Sequence, residues 1–143
     1  MTRLIGSWPT VLGLSVLVTV LVVVRLRYTR ALVCGHSMSP TYRDGERVLA
    51  VRQHGYQVGD VIVFRPPFRP THHDDLGWRI KRVAAVTGDP VPSWLSVEDM
   101  TVPPNRVLVV GDNPNSEDSR QLGYIDTALV AGRVIRRLPR VSR

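Results

Sequence analysis

Trp78-Arg79-Ile80-Lys81-Arg82-Val83-Ala84-Ala85-Val86 alternates so that Arg79, Lys81 and Val83 share one face and Ile80, Arg82 and Ala84 the other. The run reads as a strand, whose side chains point to alternate faces. Three similar β-branched runs surround it: Arg47-Val48-Leu49-Ala50-Val51, Asp60-Val61-Ile62-Val63-Phe64 and Arg106-Val107-Leu108-Val109-Val110. Turn formers bound them at Asp44-Gly45, Val58-Gly59-Asp60, Thr87-Gly88-Asp89-Pro90 and Gly111-Asp112-Asn113-Pro114. Beyond residue 31 no stretch sustains a 3.6 period over three turns with caps. The expected fold is a small all-β domain of several short strands, barrel-like or sandwich-like. Arg65-Pro66-Pro67-Phe68-Arg69-Pro70 cannot continue a central strand and opens a loop running to about Gly77.

The 143 residues allow one globular unit, and 43% apolar residues suffice for its core. The single cysteine, Cys34, excludes an intrachain disulfide framework and a Cys-rich zinc site. The net charge of +7 comes from 19 basic and 12 acidic residues, and Lys81 is the one lysine among eighteen arginines. Residues 1–30 carry +4 and residues 133–143 carry +5, whereas 31–132 carry −2. A nucleic-acid reader would hold its positive charge on the folded face, so no nucleic-acid partner is expected. Charge at both ends beside an apolar segment fits contact with anionic membrane lipid. The expected organisation is a membrane anchor at 1–30, a β-domain at 31–132 and a basic tail at 133–143.

From Ile5 to Leu26 the only ionisable group is Arg25, and Val11 to Val24 is almost wholly aliphatic. About 22 residues at 1.5 Å rise reach roughly 33 Å, close to the hydrocarbon thickness of a bilayer. Trp8 stands where an interfacial aromatic belongs, and Pro9 is near enough to the helix start to be tolerated. A cleaved signal would end in a small-x-small site, but Arg25-Leu26-Arg27-Tyr28-Thr29-Arg30 follows, so a retained single-pass anchor is expected. The positive-inside rule sets the amino terminus and Arg3 against Arg25, Arg27 and Arg30, and so favours the domain on the cytoplasmic side.

Ser37 lies in Cys34-Gly35-His36-Ser37-Met38-Ser39-Pro40-Thr41, a turn that can present its hydroxyl and its own N–H together. It is not a Gly-x-Ser-x-Gly elbow, because position 39 is serine. The neighbouring His36 ring reaches the Ser37 hydroxyl poorly. Lys81 sits in an otherwise apolar strand, and lysine, unlike arginine, can lose its proton when desolvated. Lowering it to between 7 and 8 costs roughly 3 to 4 kcal/mol. A neutral amine beside a serine hydroxyl is a general base; alone, each residue also fits a turn serine and a surviving surface lysine.

Four segments resemble the consecutive boxes of the type I signal peptidases, membrane-anchored Ser/Lys endopeptidases. They are Gly35 to Thr41, Gly59 to Phe64, Ile80 to Gly88-Asp89, and Gly111-Asp112-Asn113 through Ser116-Glu117-Asp118-Ser119-Arg120. They stand in the family's order over residues 35 to 124, behind a preceding membrane segment.

The resemblance implies a small signal-peptidase-like β-domain cleaving signal or leader peptides from precursor proteins, with no cofactor. Ser37 would be the nucleophile, Lys81 the general base, and Ser116 the group orienting the lysine amine. Asp118 and Arg120 would form a structural ion pair, with Asp112 and Asn113 shaping the turn. The Ser37 N–H would meet the oxyanion; Gly35 takes the place of a hydroxyl donor used by some members. Val33, Cys34, Gly35, Met38, Tyr42 and Ile80 would line the substrate pockets, which admit small side chains, and an extended substrate would pair with strand edges near Ser37 and Lys81.

The chain departs from the family by a segment one residue shorter between Asn113 and Ser116 and by Pro114, and its small domain is expected to lack room for the large second β-domain of some bacterial members. His72-His73-Asp74-Asp75 has no counterpart, and because adjacent side chains diverge no metal site is expected there. The orientation implied by the family is extracytoplasmic, opposite to the charge count. The alternatives are a maturation protease dedicated to one leader, or a membrane-tethered peptide-binding module.

Overall fold

The computed structural model describes residues 8–66 and 78–139. The expectations for the side chains of Trp8 and Pro9, for the loop from residue 67 to 77 with His72-His73-Asp74-Asp75, and for residues 140–143 lie outside them. Helix α1, Trp8–Arg27, has 20 residues and hence a length of about 30 Å. Its Thr10–Arg27 stretch has a mean hydropathy of 2.0 and is nowhere buried against protein. Thr19 donates its hydroxyl to the Ser15 carbonyl at 2.9 Å, satisfying a polar group that lipid could not. The helix is long and apolar enough to cross a bilayer.

Seven antiparallel strands follow: β1 Tyr28–Leu32, β2 Arg47–Val51, β3 Val61–Phe64, β4 Arg79–Val86, β5 Arg106–Val110, β6 Ile125–Asp126 and β7 Val130–Leu138. They form one sheet in the order β1-β2-β7-β3-β4-β5-β6, curled into a half-barrel. One core cluster gathers Val48, Ala50, Val63, Ile80 and Met38, and another gathers Ile62, Phe64, Val83, Val107 and Val109. The strand readings of 47–51, 79–86 and 106–110 coincide with β2, β4 and β5, and β3 begins one residue after Asp60. The second helix, α2 (Ser119–Leu122), is a single turn.

Both boundaries read from the sequence fall inside strands. β1 starts at Tyr28 directly after α1, with no linker. Arg133 to Leu138 are no tail. They are the second half of β7, paired with β2, while Val130 to Arg133 pair with β3. The charges read as a solvated end because a strand can bury its backbone and send arginine heads outward. Arg133 reaches Asp60 at 3.5 Å, and the Arg137 guanidinium lies 4.7 Å from the centre of the Tyr42 ring. A Cβ on Gly132 would meet the Val51 carbonyl oxygen at 2.6 Å, so β7 and β2 approach as only glycine permits.

A chain ending at Gly132 is therefore expected to lose protease resistance and cooperative unfolding, whereas one ending at Pro139 keeps both. Limited proteolysis with a thermal melt checks this, and an unchanged melt for the shorter chain would restore the tail.

Candidate active site

Three segments converge on one cleft of about 400 Å³: the turn after β1, the start of β4 and the turn after β5. Val33, Cys34, Gly35, Ser37, Met38, Ile80, Lys81 and Ser116 all line it. The turns are fixed to one another. Asn113 donates its N–H to the Ser37 carbonyl and its side-chain amide to the His36 carbonyl, each at 3.1 Å. Asp44 accepts the Gly35 N–H at 2.7 Å, where Gly35 has φ +80°. Arg82 grips Asp112 with two bonds of 2.8 and 2.7 Å, tying β4 to the turn after β5 and holding Asp112 below the usual carboxylate range.

Lys81 is 1% exposed and stands across from Ile62 in the β3–β4 ladder. Burial, reinforced by Arg79, lowers its pKa to about 8; Asp118 and Glu117 oppose the shift, and Arg120 adds to it. Asp118 is fully buried. Burial raises its pKa, but bonds from the Arg120 side chain, the Gly111 and Arg120 N–H groups and Ser116 outweigh that and bring it to about 2. Its ion pair with Arg120 is bidentate, at 2.9 and 2.8 Å. Ser116 donates its hydroxyl proton to Asp118 at 2.9 Å. The lone pairs of Ser116 Oγ are then what it can offer an amine. Among the described residues the Ser37 N–H takes no acceptor and is available to a ligand.

Tyr42 is the expected pocket residue that the fold places elsewhere, against the core beneath Arg137 and outside the cleft. Shortening the 113–116 segment does not remove Ser116 from the cleft: Asn113 accepts the Asn115 and Ser116 N–H groups and closes a compact turn. Trp78, Asn115 and the ion pair Arg79–Glu117, 2.7 Å long, also line the cleft and escaped the sequence reading; His36 lines it too. The role of Gly111 escaped as well. A Cβ there would lie 2.0 Å from Ser116 Oγ and 2.5 Å from the Ser37 carbonyl oxygen. Its place before Asp112-Asn113 signalled a turn, but close approach of two other segments leaves no mark in sequence.

Two edges beside the cleft are open among the described residues. β1 is the last strand of the sheet, and β5 pairs with β4 only from Arg82 onward, leaving Ile80 and Lys81 without a strand neighbour on that side. An extended peptide can add to such edges.

A family model described as signal peptidase, peptidase S26, matches residues 6–93 and 92–138. Over 113 residues the chain is 35% identical to mitochondrial inner membrane protease subunit 1 of Xenopus tropicalis, covering 73% of this chain and 65% of that protein. It is 32% identical to a probable signal peptidase I-1 of Synechocystis, covering 75% and 69%. With signal peptidase IB of Staphylococcus aureus the identity is 28%, over 70% and 72%. The chain thus spans about two thirds of the length of the curated relatives it matches.

The close approach at Gly111 sets the cost of filling it. Gly111→Ala is expected to destabilise the protein by about 1–3 kcal/mol through crowding against Ser116 and the Ser37 carbonyl, measured by denaturant unfolding. An unchanged midpoint would mean that the turn yields freely. Lys81→Met is expected to stabilise the protein at pH 7 by up to about 3 kcal/mol, because the depressed folded-state pKa is then no longer a cost. With Lys81 present, the unfolded state binds more protons between about pH 8 and 10.5, so wild-type stability rises with pH there and the gap between the two proteins closes. Unfolding curves across that range check it, and a gap independent of pH would mean that the amine is not desolvated.

Proposed function

The chain belongs to the signal peptidase family, peptidase S26, and we propose that it is a single-pass membrane serine endopeptidase removing signal or leader peptides from precursor proteins. The observation that carries this reading is the lone lysine, buried, lowered to about 8 and lining one cleft with Ser37 and Ser116.

In this reading Ser37 Oγ attacks the carbonyl carbon of the scissile peptide bond and its proton passes to the neutral Lys81 Nζ. The oxyanion accepts a hydrogen bond from the Ser37 N–H. The C–N bond then breaks, the Lys81 ammonium protonates the leaving amine, and the new amino terminus departs. Water attacks the remaining ester with Lys81 again taking the proton; the bond between Ser37 Oγ and the carbonyl carbon then breaks, Lys81 returns that proton to Ser37 Oγ, and the freed peptide leaves as a carboxylate with its acid proton lost to solvent. Ser116 orients the amine by accepting from it, because its own proton is committed to Asp118. Asp118 and Arg120 hold Ser116 in place as positioning residues.

The substrate lies extended between the open edges of β1 and of Ile80-Lys81, with small side chains entering pockets walled by Val33, Cys34, Met38 and Ile80. We assign the domain to the extracytoplasmic face of the cell membrane, where precursor cleavage sites emerge. A generic small-x-small reporter separates broad signal-peptide cleavage from maturation of one leader.

Cleavage of a membrane-inserted precursor by the full chain tests the reading. Ser37→Ala and Lys81→Arg are each expected to lower the rate by a factor of about 10³ or more. The wild-type kcat/KM should rise about tenfold per pH unit below pH 8 and level off above it, as the amine becomes neutral. Full activity of Lys81→Arg would overturn the mechanism, since a guanidinium stays charged.

A further inference from the structure

Six described arginines are tied to carboxylates: Arg79 to Glu117, Arg82 to Asp112, Arg106 to Asp126, Arg120 to Asp118, Arg133 to Asp60 and Arg137 to Glu46. Among those without an acidic partner in the described residues, Arg25, Arg27, Arg30 and Arg136 gather in one region. Arg25 and Arg27 end α1. Arg30 stands across from Leu49, and Leu49 across from Arg136, so the three form a row over β1, β2 and β7. The row lies on the face opposite to buried Ala31, Val48 and Ala50.

Between the last turn of α1 and this face is a concavity of about 580 Å³, lined by Val24, Arg25, Tyr28, Arg30 and Leu49. We propose that it binds the headgroup of an anionic phospholipid in the leaflet from which the domain emerges. Arg25 and Arg30 take the phosphodiester, and Val24, Tyr28 and Leu49 receive the apolar glycerol end of the acyl chains.

Three observations select a lipid. The walls combine two guanidiniums without an acidic partner among the described residues, the side chain best matched to phosphate, with an apolar floor that a free phosphate would not use. One wall is the membrane helix itself, so the concavity opens at the bilayer surface. β1 follows α1 without a linker, and three residues at strand rise put Arg30 only about 10 Å beyond the helix end, within the reach of an anionic surface. The same assignment gives these arginines a second reason to be there. Arg25 and Arg30 weigh toward a cytoplasmic domain when counted as topogenic charges, but in the fold they are walls of a binding site.

The test uses the full chain in nanodiscs of phosphatidylcholine with or without phosphatidylglycerol, with spin-labelled versions of each lipid reporting association. Wild type is expected to prefer phosphatidylglycerol by roughly five-fold for each of the two arginines. Arg25→Gln with Arg30→Gln should remove the preference. Arg43→Gln, an exposed position outside both cleft and concavity, should leave it intact. Inorganic phosphate should not displace the lipid. Equal association of the two lipids with wild type overturns the proposal without recourse to any variant. Retention of the preference by the double variant, an equal loss in Arg43→Gln, or displacement by inorganic phosphate also overturns it.

Discussion

The buried carboxylate of Asp118 organises the site. It receives hydrogen bonds from the Arg120 side chain twice, from the Arg120 and Gly111 N–H groups, and from Ser116. A carboxylate out of water must be satisfied in this way or lose its charge. Each bond has a structural consequence. The Gly111 bond pins the end of β5, the Ser116 bond fixes a hydroxyl in the cleft, and the N–H bond from Arg120 caps α2. Gln121 completes the cap by accepting the Asp118 N–H at 3.0 Å. Arg120, paired with Asp118, itself lowers the Lys81 pKa and so works against the pull of Asp118 on that proton.

Around Lys81 the charges act in both directions, and none weighs as much as burial. Arg79 and Arg120 repel its proton, whereas Glu117 and Asp118 attract it, and each arginine is paired with one of those carboxylates. Burial is therefore the decisive influence. The strand order supplies that burial: β4 is interior to the sheet, and Lys81 stands across from Ile62 on an apolar face. Fold and proton affinity are in this sense one constraint.

The parts legible in sequence are those whose reason is local. β2, β4 and β5 are short apolar, β-branched runs bounded by turn formers, and the lone lysine stands out against eighteen arginines. β7 was not legible because its pairing is long-range, and three arginines in six residues read as solvated when only their side chains are. β1 was hidden by its direct junction with an apolar helix. Asp118 three residues before Gln121 does carry a capping signature, but a helix of four residues has no periodicity to reinforce it. Gly111 illustrates the limit most sharply: the reason for glycine is Ser116 and the Ser37 carbonyl, brought there by the fold.

The distribution of charge follows the same division between local and long-range causes. Arginines that hold the cleft, Arg79, Arg82 and Arg120, are matched by carboxylates within 2.8 Å, so the half around the cleft contributes little net charge. The excess of +7 belongs to the membrane-proximal end and to the last stretch of the chain, where β7 lies alongside β2 and so near β1. Among the described residues, Arg30 and Arg136, from opposite ends of the sequence, thus come to flank Leu49 through one strand inserted between β2 and β3. Arginine suits that surface because it stays charged and matches phosphate. Lysine suits the cleft because it can lose its proton.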